Sequence, residues 1–202
     1  MGAESVWTSG VDRLKMMRMS HRFTQLRHKP PSALDRPREL IVACAPLRSN
    51  INLSRIVRTA GCLGVPKVVC CGSARVIEKI ARNSFERDED GGGRDDESTA
   101  ESGSVVVENH RTLLPVLWEL AADGYELVGL EQATNSVPLF DFAFQRRTAL
   151  VVGNERSGLD DETLARLQRV VEIPMYGLPY ALNVATATAL TMYEYCRQYP
   201  RG

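Results

Sequence analysis

The stretch "GLPYALNVATATAL", residues 177–190, decides how this chain reads. Gly177 and Pro179 are turn formers, yet from Leu182 onward Ala, Val and Thr follow one another without a breaker. That is a helix with a thin coat of side chains, led in by Asn183 and by a turn almost free of ionisable groups. So few side-chain atoms let another backbone come close, which places the helix inside the fold.

Working back from it, short apolar runs alternate with segments of helical period. "LIVACA" (40–45) reads as a strand, and Leu53, Ile56, Val57, Ala60 and Leu63 then recur at helical spacing up to Gly64. "KVVCC" (67–71) is the next strand and "ARVIEKIARNSF" (74–85) a short helix. "VVVE" (105–108), a helix around "TLLPVLWELAADG" with Pro115 in its first turn, and "YELVGLE" (125–131) follow. "TALVVG" (148–153) leads into "NERSGL", a short helix, the strand "VVEIPM" ending at Met175, and the closing helix. Strands apolar throughout and separated by helices specify an α/β fold with a mainly parallel sheet covered on both faces. In such sheets ligands sit beyond the carboxyl ends of the strands, which here means the loops after Ala45, Glu131, Gly153 and Met175.

The rest of the chain bounds the possibilities. Its 202 residues suit one domain with appendages, and 25 Lys or Arg balance 25 Asp or Glu. The distribution is uneven: residues 1–50 hold nine basic residues against four acids, and residues 86–101 hold eight acids against Arg87 and Arg94. Residues 1–38 are basic and Met-rich and end in "KPPSALDRPREL", whose prolines interrupt a helix. They read as a loosely held arm or as an RNA-contacting extension, with the domain proper at 39–202. Residues 86–104, polar and Gly-rich without periodicity, read as a solvated mobile loop. The five cysteines (44, 62, 70, 71, 196) form no C-x-x-C, which favours buried thiols in a reducing compartment over disulfides or zinc. No apolar run reaches the ~18 residues of a membrane span, and the start lacks a secretory core, so a cytoplasmic protein without a membrane partner is expected.

Three loops carry unusual chemistry. "RSNINLSRIVRTAG" (48–61) offers Asn50 or Asn52 as a helix cap and places Arg55 and Arg58 three apart on one side of the helix. "GNERSG" (153–158) has glycine at both ends, so its backbone can approach a ligand, with Glu155 between them. "IPMYGLPYALN" (173–183) offers apolar walls and free backbone amides, which suit a flat heteroaromatic better than a phosphate. Neither G-x-G-x-x-G nor a P-loop is present, which disfavours a nucleoside-triphosphate enzyme.

Taken in order, N-x-x-x-x-x-R-T-A, G-N-E-x-x-G and I-P-M-x-G-x-x-x-x-L-N-V, each at a strand end, resemble the three motifs of the SpoU/TrmH family of RNA ribose methyltransferases in the knotted SPOUT superfamily. "GYELVGLEQA" and "VVGNERSGL" are also similar to eukaryotic proteins that modify a guanosine in the tRNA D-loop. The resemblance runs from about Leu40 to Cys196. It implies a carboxy-terminal deep trefoil knot, which would account for the thinly coated helix. It also implies S-adenosylmethionine as methyl donor, no metal, RNA as substrate (tRNA before rRNA) and a homodimer with its active site near the subunit interface.

Residue by residue, the resemblance makes Arg58, Asn52, Glu155 and Asn183 catalytic. It assigns Leu130, Glu131, Gly153, Asn154, Ile173, Met175, Gly177 and Leu182 to the cofactor. Neutralising a guanidinium near pH 7 costs roughly 7 kcal/mol, so Arg58 suits a phosphate clamp and alkoxide stabiliser better than a general base. Asn52, Glu155 and Asn183 would then orient it. Two positions depart from the family pattern: Ser54 stands where glycine is usual and Ala181 where serine is usual. Ala181 leaves open slower chemistry, substitution by Tyr180, or a silent RNA-binding protein that keeps the fold.

Overall fold

The computed structural model describes residues 25–26, 29–72 and 105–202. The expected helix at 74–85 and the loop at 86–104 lie outside them. Two compact units divide between Ala33 and Leu34, and the second carries the sheet.

That unit contains strands β1 (Leu40–Cys44), β2 (Lys67–Cys71), β3 (Val106–His110), β4 (Glu126–Leu130), β5 (Val137–Pro138), β6 (Thr148–Val152) and β7 (Arg169–Glu172). Its helices are α1 (Asn50–Cys62), α2 (Leu113–Ala122), α3 (Asp161–Leu164) and α4 (Val184–Gln198). The strands form one sheet in the order β3-β2-β1-β6-β4-β7-β5, and every pairing is parallel. The α/β reading holds, and successive strand residues feed two cores. Leu40, Val42, Leu150 and Val152 face α1 and α4, while Ile41, Ala43, Ala149 and Val151 face α2 and Leu159. Burial on both faces is why these strands are apolar at every position.

Several boundaries differ from the sequence reading. β3 runs on to His110, since an edge strand need not stay apolar and Lys67 pairs with Glu108 at 2.7 Å across it. β7 stops at Glu172, before Pro174, which has no N–H to give a ladder. β5 and the 3-10 turn Leu139–Asp141 have no pattern of their own, β5 being two residues held by backbone pairing to β7. The cap of α1 is Ser49, whose hydroxyl accepts from Asn52 N at 3.3 Å, and neither Asn50 nor Asn52.

Residues 34–38 pack with the unit that carries the sheet. Arg38 is buried, and its guanidinium donates to the carbonyls of Leu63 (2.7 Å) and Tyr199. Asp35 N donates to Arg201 O at 3.0 Å, and the Leu34 side chain lies 3.0 Å from where a Cβ on Gly64 would stand. Leu34 to Arg38 therefore clamp the end of α1 to the end of α4.

On α4 the small residues do what their size allows. Ala185, Thr188 and Thr191 are buried against the core layer shared with α1, and both threonine hydroxyls donate to carbonyls one turn back, at Val184 and Ala187. The second half of the helix is heavier: Tyr195 and Tyr199 donate to the carbonyls of Arg146 and Phe144, and Gln198 bonds Phe142 O and Phe144 N. Of the cysteines, 44, 70, 71 and 196 are buried and free, whereas Cys62 is exposed. Burial pushes the Cys70 thiol up to about 12 and Cys71 to about 11. Among the described residues no helix is long and apolar enough to cross a membrane.

Candidate active site

The loops after β4, β6 and β7 line a cavity of about 830 Å³ at the carboxyl edge of the sheet, and the loop after β1 adjoins it through hydrogen bonds to Glu155. Each loop has a local reason for its shape. After β6 the chain doubles back at once: Asn154 N donates to Gly158 O at 3.2 Å and Gly158 N to Asn154 O at 3.1 Å. A Cβ on Gly153 would stand 2.3 Å from the Gly158 carbonyl carbon, and Gly158 has φ +64° with a Cβ position 2.2 Å from Glu131 Oε2. At Gly153 only glycine fits, and at Gly158 the positive φ favours it. Asn154 Oδ1 accepts from Arg156 N, Ser157 N and Ser157 Oγ at 2.8–3.1 Å, so this side chain ties the turn.

The turn presents Glu155 to the start of α1. Its carboxylate accepts from Arg48 N (2.9 Å), Ser49 N (3.1 Å) and Asn52 Nδ2 (2.9 Å). Partial burial works to raise its pKa, but the N–H of Arg48, the Asn52 amide, its own N–H and that of Ser49 hold it below the ordinary carboxylate value. Asn52 Oδ1 in turn accepts from Asn183 Nδ2 at 3.1 Å. Asn183 Oδ1 caps α4 by accepting from Ala185 N (3.0 Å) and Thr186 N (3.4 Å). A loop, the first turn of α1 and the cap of α4 thus form one hydrogen-bonded chain, Glu155–Asn52–Asn183.

Nine of the twelve expected site residues line the cavity: Leu130, Glu131, Gly153, Asn154, Glu155, Ile173, Met175, Leu182 and Asn183. Asn52 stands behind it as a bridge. Gly177 is elsewhere, with nothing within 4 Å of its Cβ position. Arg58 is exposed on α1, and among the described residues its side chain makes no hydrogen bond or ion pair with Asn52, Glu155 or Asn183, so the expected orientation of Arg58 by those three is absent within one chain. Ala181 lines the cavity, so the missing hydroxyl is missing at the site itself.

The sequence reading singled out the loop after β4 but took only Leu130 and Glu131 from it, leaving Gln132, Thr134 and Glu172 unnamed. Glu131 accepts from Gln132 N (3.0 Å) and Leu159 N (3.1 Å), Gln132 Nε2 donates to Tyr180 O (3.1 Å), and Ser136 Oγ donates to Glu172 Oε2 (2.7 Å). Gln132, Thr134 and Glu172 all reach the cavity. The strand-end rule that singled out this loop would have found them. Among the described residues no group of three or more His, Cys, Asp or Glu could hold a metal ion.

Comparison with known proteins agrees with this geometry. The model of the SpoU rRNA Methylase family matches residues 95–193. The tRNA (guanosine(18)-2'-O)-methyltransferase of Escherichia coli K12 is 29% identical over 163 residues, 79% of this chain and 64% of that protein. This chain therefore spans somewhat less than two thirds of that relative's length. The mouse tRNA (guanosine(18)-2'-O)-methyltransferase TARBP1 is 37% identical over 90 residues, 45% of this chain and 6% of the mouse protein. The crystal structure of the Aquifex aeolicus TrmH/SpoU tRNA modifying enzyme superposes with a TM-score of 0.66 at 27% identity, covering 83% of this chain and 78% of that one.

Proposed function

Because the chain belongs to the SpoU/TrmH family, we propose that it transfers a methyl group from S-adenosylmethionine to a ribose 2'-hydroxyl of RNA. The substrate is tRNA in the first place, since the E. coli and mouse relatives are named for guanosine 18 of tRNA. The observation that carries this reading is the Glu155–Asn52–Asn183 chain beside a cavity walled in part by Leu130, Ile173, Met175 and Leu182.

The cavity fits the methyl donor. Leu130, Ile173, Met175 and Leu182 offer walls for an adenine, and the close backbone of Gly153 leaves room that a Cβ would take. The donor supplies the methyl group. This chain's residues position the reactants, and holding the hydroxyl in line with the methyl carbon is the main catalytic contribution. Asn154 holds the loop, and Gly177 has no part in the pocket in this proposal.

Arg58 acts as a clamp on the RNA phosphate and stabiliser of the developing alkoxide, across a subunit interface. Ile51, Leu190 and Tyr193 are exposed on the helices α1 and α4, with Tyr193 at 65%. A homodimer closed on that face would cover them and bring each exposed Arg58 to the partner. The knotted threading that the family implies belongs to the same proposal, as does residue 34 as the start of the catalytic domain.

A second reading is favoured by Ala181 at the cavity wall: an RNA-binding protein that keeps donor affinity without transfer. One experiment separates the two. Labelled S-adenosylmethionine is incubated with unmodified tRNA and, separately, rRNA, and the product is mapped by nuclease digestion. Label on a tRNA ribose that disappears with Arg58→Ala is the expected result; donor binding without transfer to either RNA would favour the silent reading.

A further inference from the structure

Three carboxylates line the cavity, Glu131, Glu155 and Glu172, against one guanidinium, that of Arg156. None of the three is in an ion pair with another described residue. Neutral donors hold each of them instead: backbone N–H groups for Glu131, backbone N–H groups and an amide for Glu155, and a serine hydroxyl for Glu172. Such donors solvate a carboxylate without cancelling its charge, so the cavity keeps a net negative field. Glu155 accepts three hydrogen bonds from the α1 end of the site, whereas Glu131 and Glu172 flank the loop after β4.

Resting on the reading of the cavity as a methyl-donor site, we infer that Glu131 and Glu172 are specificity-determining residues that select the cationic sulfonium over the neutral thioether left after transfer. In the reaction the bond between sulfur and methyl carbon breaks with its electron pair going to sulfur. The bond from the 2'-oxygen to that carbon forms, and the hydroxyl proton passes to solvent water. The bound cofactor loses one positive charge at that moment. The field that drew the donor in then holds the product less firmly, and the site empties for the next turnover.

The test is calorimetric titration of the full chain with S-adenosylmethionine, with S-adenosylhomocysteine, and with sinefungin, whose amine is cationic where the sulfonium stands. Wild type, Glu131→Gln and Glu172→Gln are compared at low and moderate salt. The two cationic ligands are expected to bind wild type several-fold more tightly than S-adenosylhomocysteine. Each substitution should narrow that ratio by about two- to tenfold, the Coulomb scale of one partly screened unit charge, while the affinity for S-adenosylhomocysteine stays within about threefold. Equal affinity of wild type for the donor and for S-adenosylhomocysteine overturns the inference. So does a loss of all three ligands in proportion, which a merely structural role of the two glutamates would give. Failure of wild type to bind any of the three overturns the methyl-donor reading itself.

Discussion

Asn183 donates its amide N–H to Asn52 Oδ1 at 3.1 Å, joining the cap of α4 to the first turn of α1 across 131 positions of sequence. Each of the two asparagines spends one end of its amide on architecture and the other on the site. Asn183 Oδ1 holds α4, and Asn52 Nδ2 holds Glu155.

The two duties can be separated by Asn183→Asp, which keeps the capping oxygen and loses the donor. Its melting temperature is expected to stay near that of wild type, while transfer falls by tenfold or more. Asn183→Ala should lose both, with a cap contribution of about 1 kcal/mol. Thermal melts alongside methyl-transfer rates decide the matter; equal rates for wild type and Asn183→Asp would refute the role given to the amide.

Glu155 links acid stability to the site. Its folded-state pKa lies below the ordinary value of about 4.5, so its contribution to stability is present above that value and is lost as pH falls through the lower, folded one. Urea denaturation between pH 3 and pH 7 should show wild type weakening at the acid end, and Glu155→Gln should flatten that slope. Parallel curves for the two proteins would remove Glu155 from the account.

Glycines 153 and 158 answer to different obstacles. Gly153→Ala drives a methyl into backbone atoms, whereas Gly158→Ala meets the Glu131 carboxylate at a positive φ that alone costs roughly 1–2 kcal/mol. Gly153→Ala is expected to be the more damaging for both melting temperature and donor affinity. Pairing Gly158→Ala with Glu131→Ala should recover part of its loss, because the obstructing carboxylate is then gone.

Truncation distinguishes arm from clamp. Removing residues 1–33 should leave the melting temperature nearly unchanged, whereas removing 1–38 takes Arg38 away from the Leu63 and Tyr199 carbonyls and should destabilise the fold. Arg38→Ala alone is expected to cost on the order of 1–3 kcal/mol. If the basic arm contacts RNA, the shorter deletion also lowers the steepness with which RNA affinity falls with salt.

The layering of the sheet was legible because burial on both faces forces runs such as "LIVAC" and "TALVV" to be apolar at every position. The cavity lining was legible because strand-end loops gather at one edge whatever their side chains. What could not be read were relations between distant segments. Arg38 looked like one more charge in a basic arm, since nothing local marks a guanidinium that bonds carbonyls 25 and 161 residues away. Ser49 outcompeted two asparagines as the cap because Asn52 is drawn aside by Glu155 and Asn183. Asn154 lines the cavity and is also the tie of its own turn, a second duty that nothing local announced.

α4 carries the site's last asparagine at its head and the aromatic latch on residues 142–146 along its tail. During synthesis, which runs from the amino end, the sheet can be complete while neither exists. A nascent chain halted before residue 183 has its strands and the Asn52–Glu155 pair, yet it lacks the asparagine that ties this pair to α4 and has an uncovered core face where α4 should lie. A chain therefore gains the cover of that core face and the last member of the Glu155–Asn52–Asn183 chain in the same step, when α4 is made.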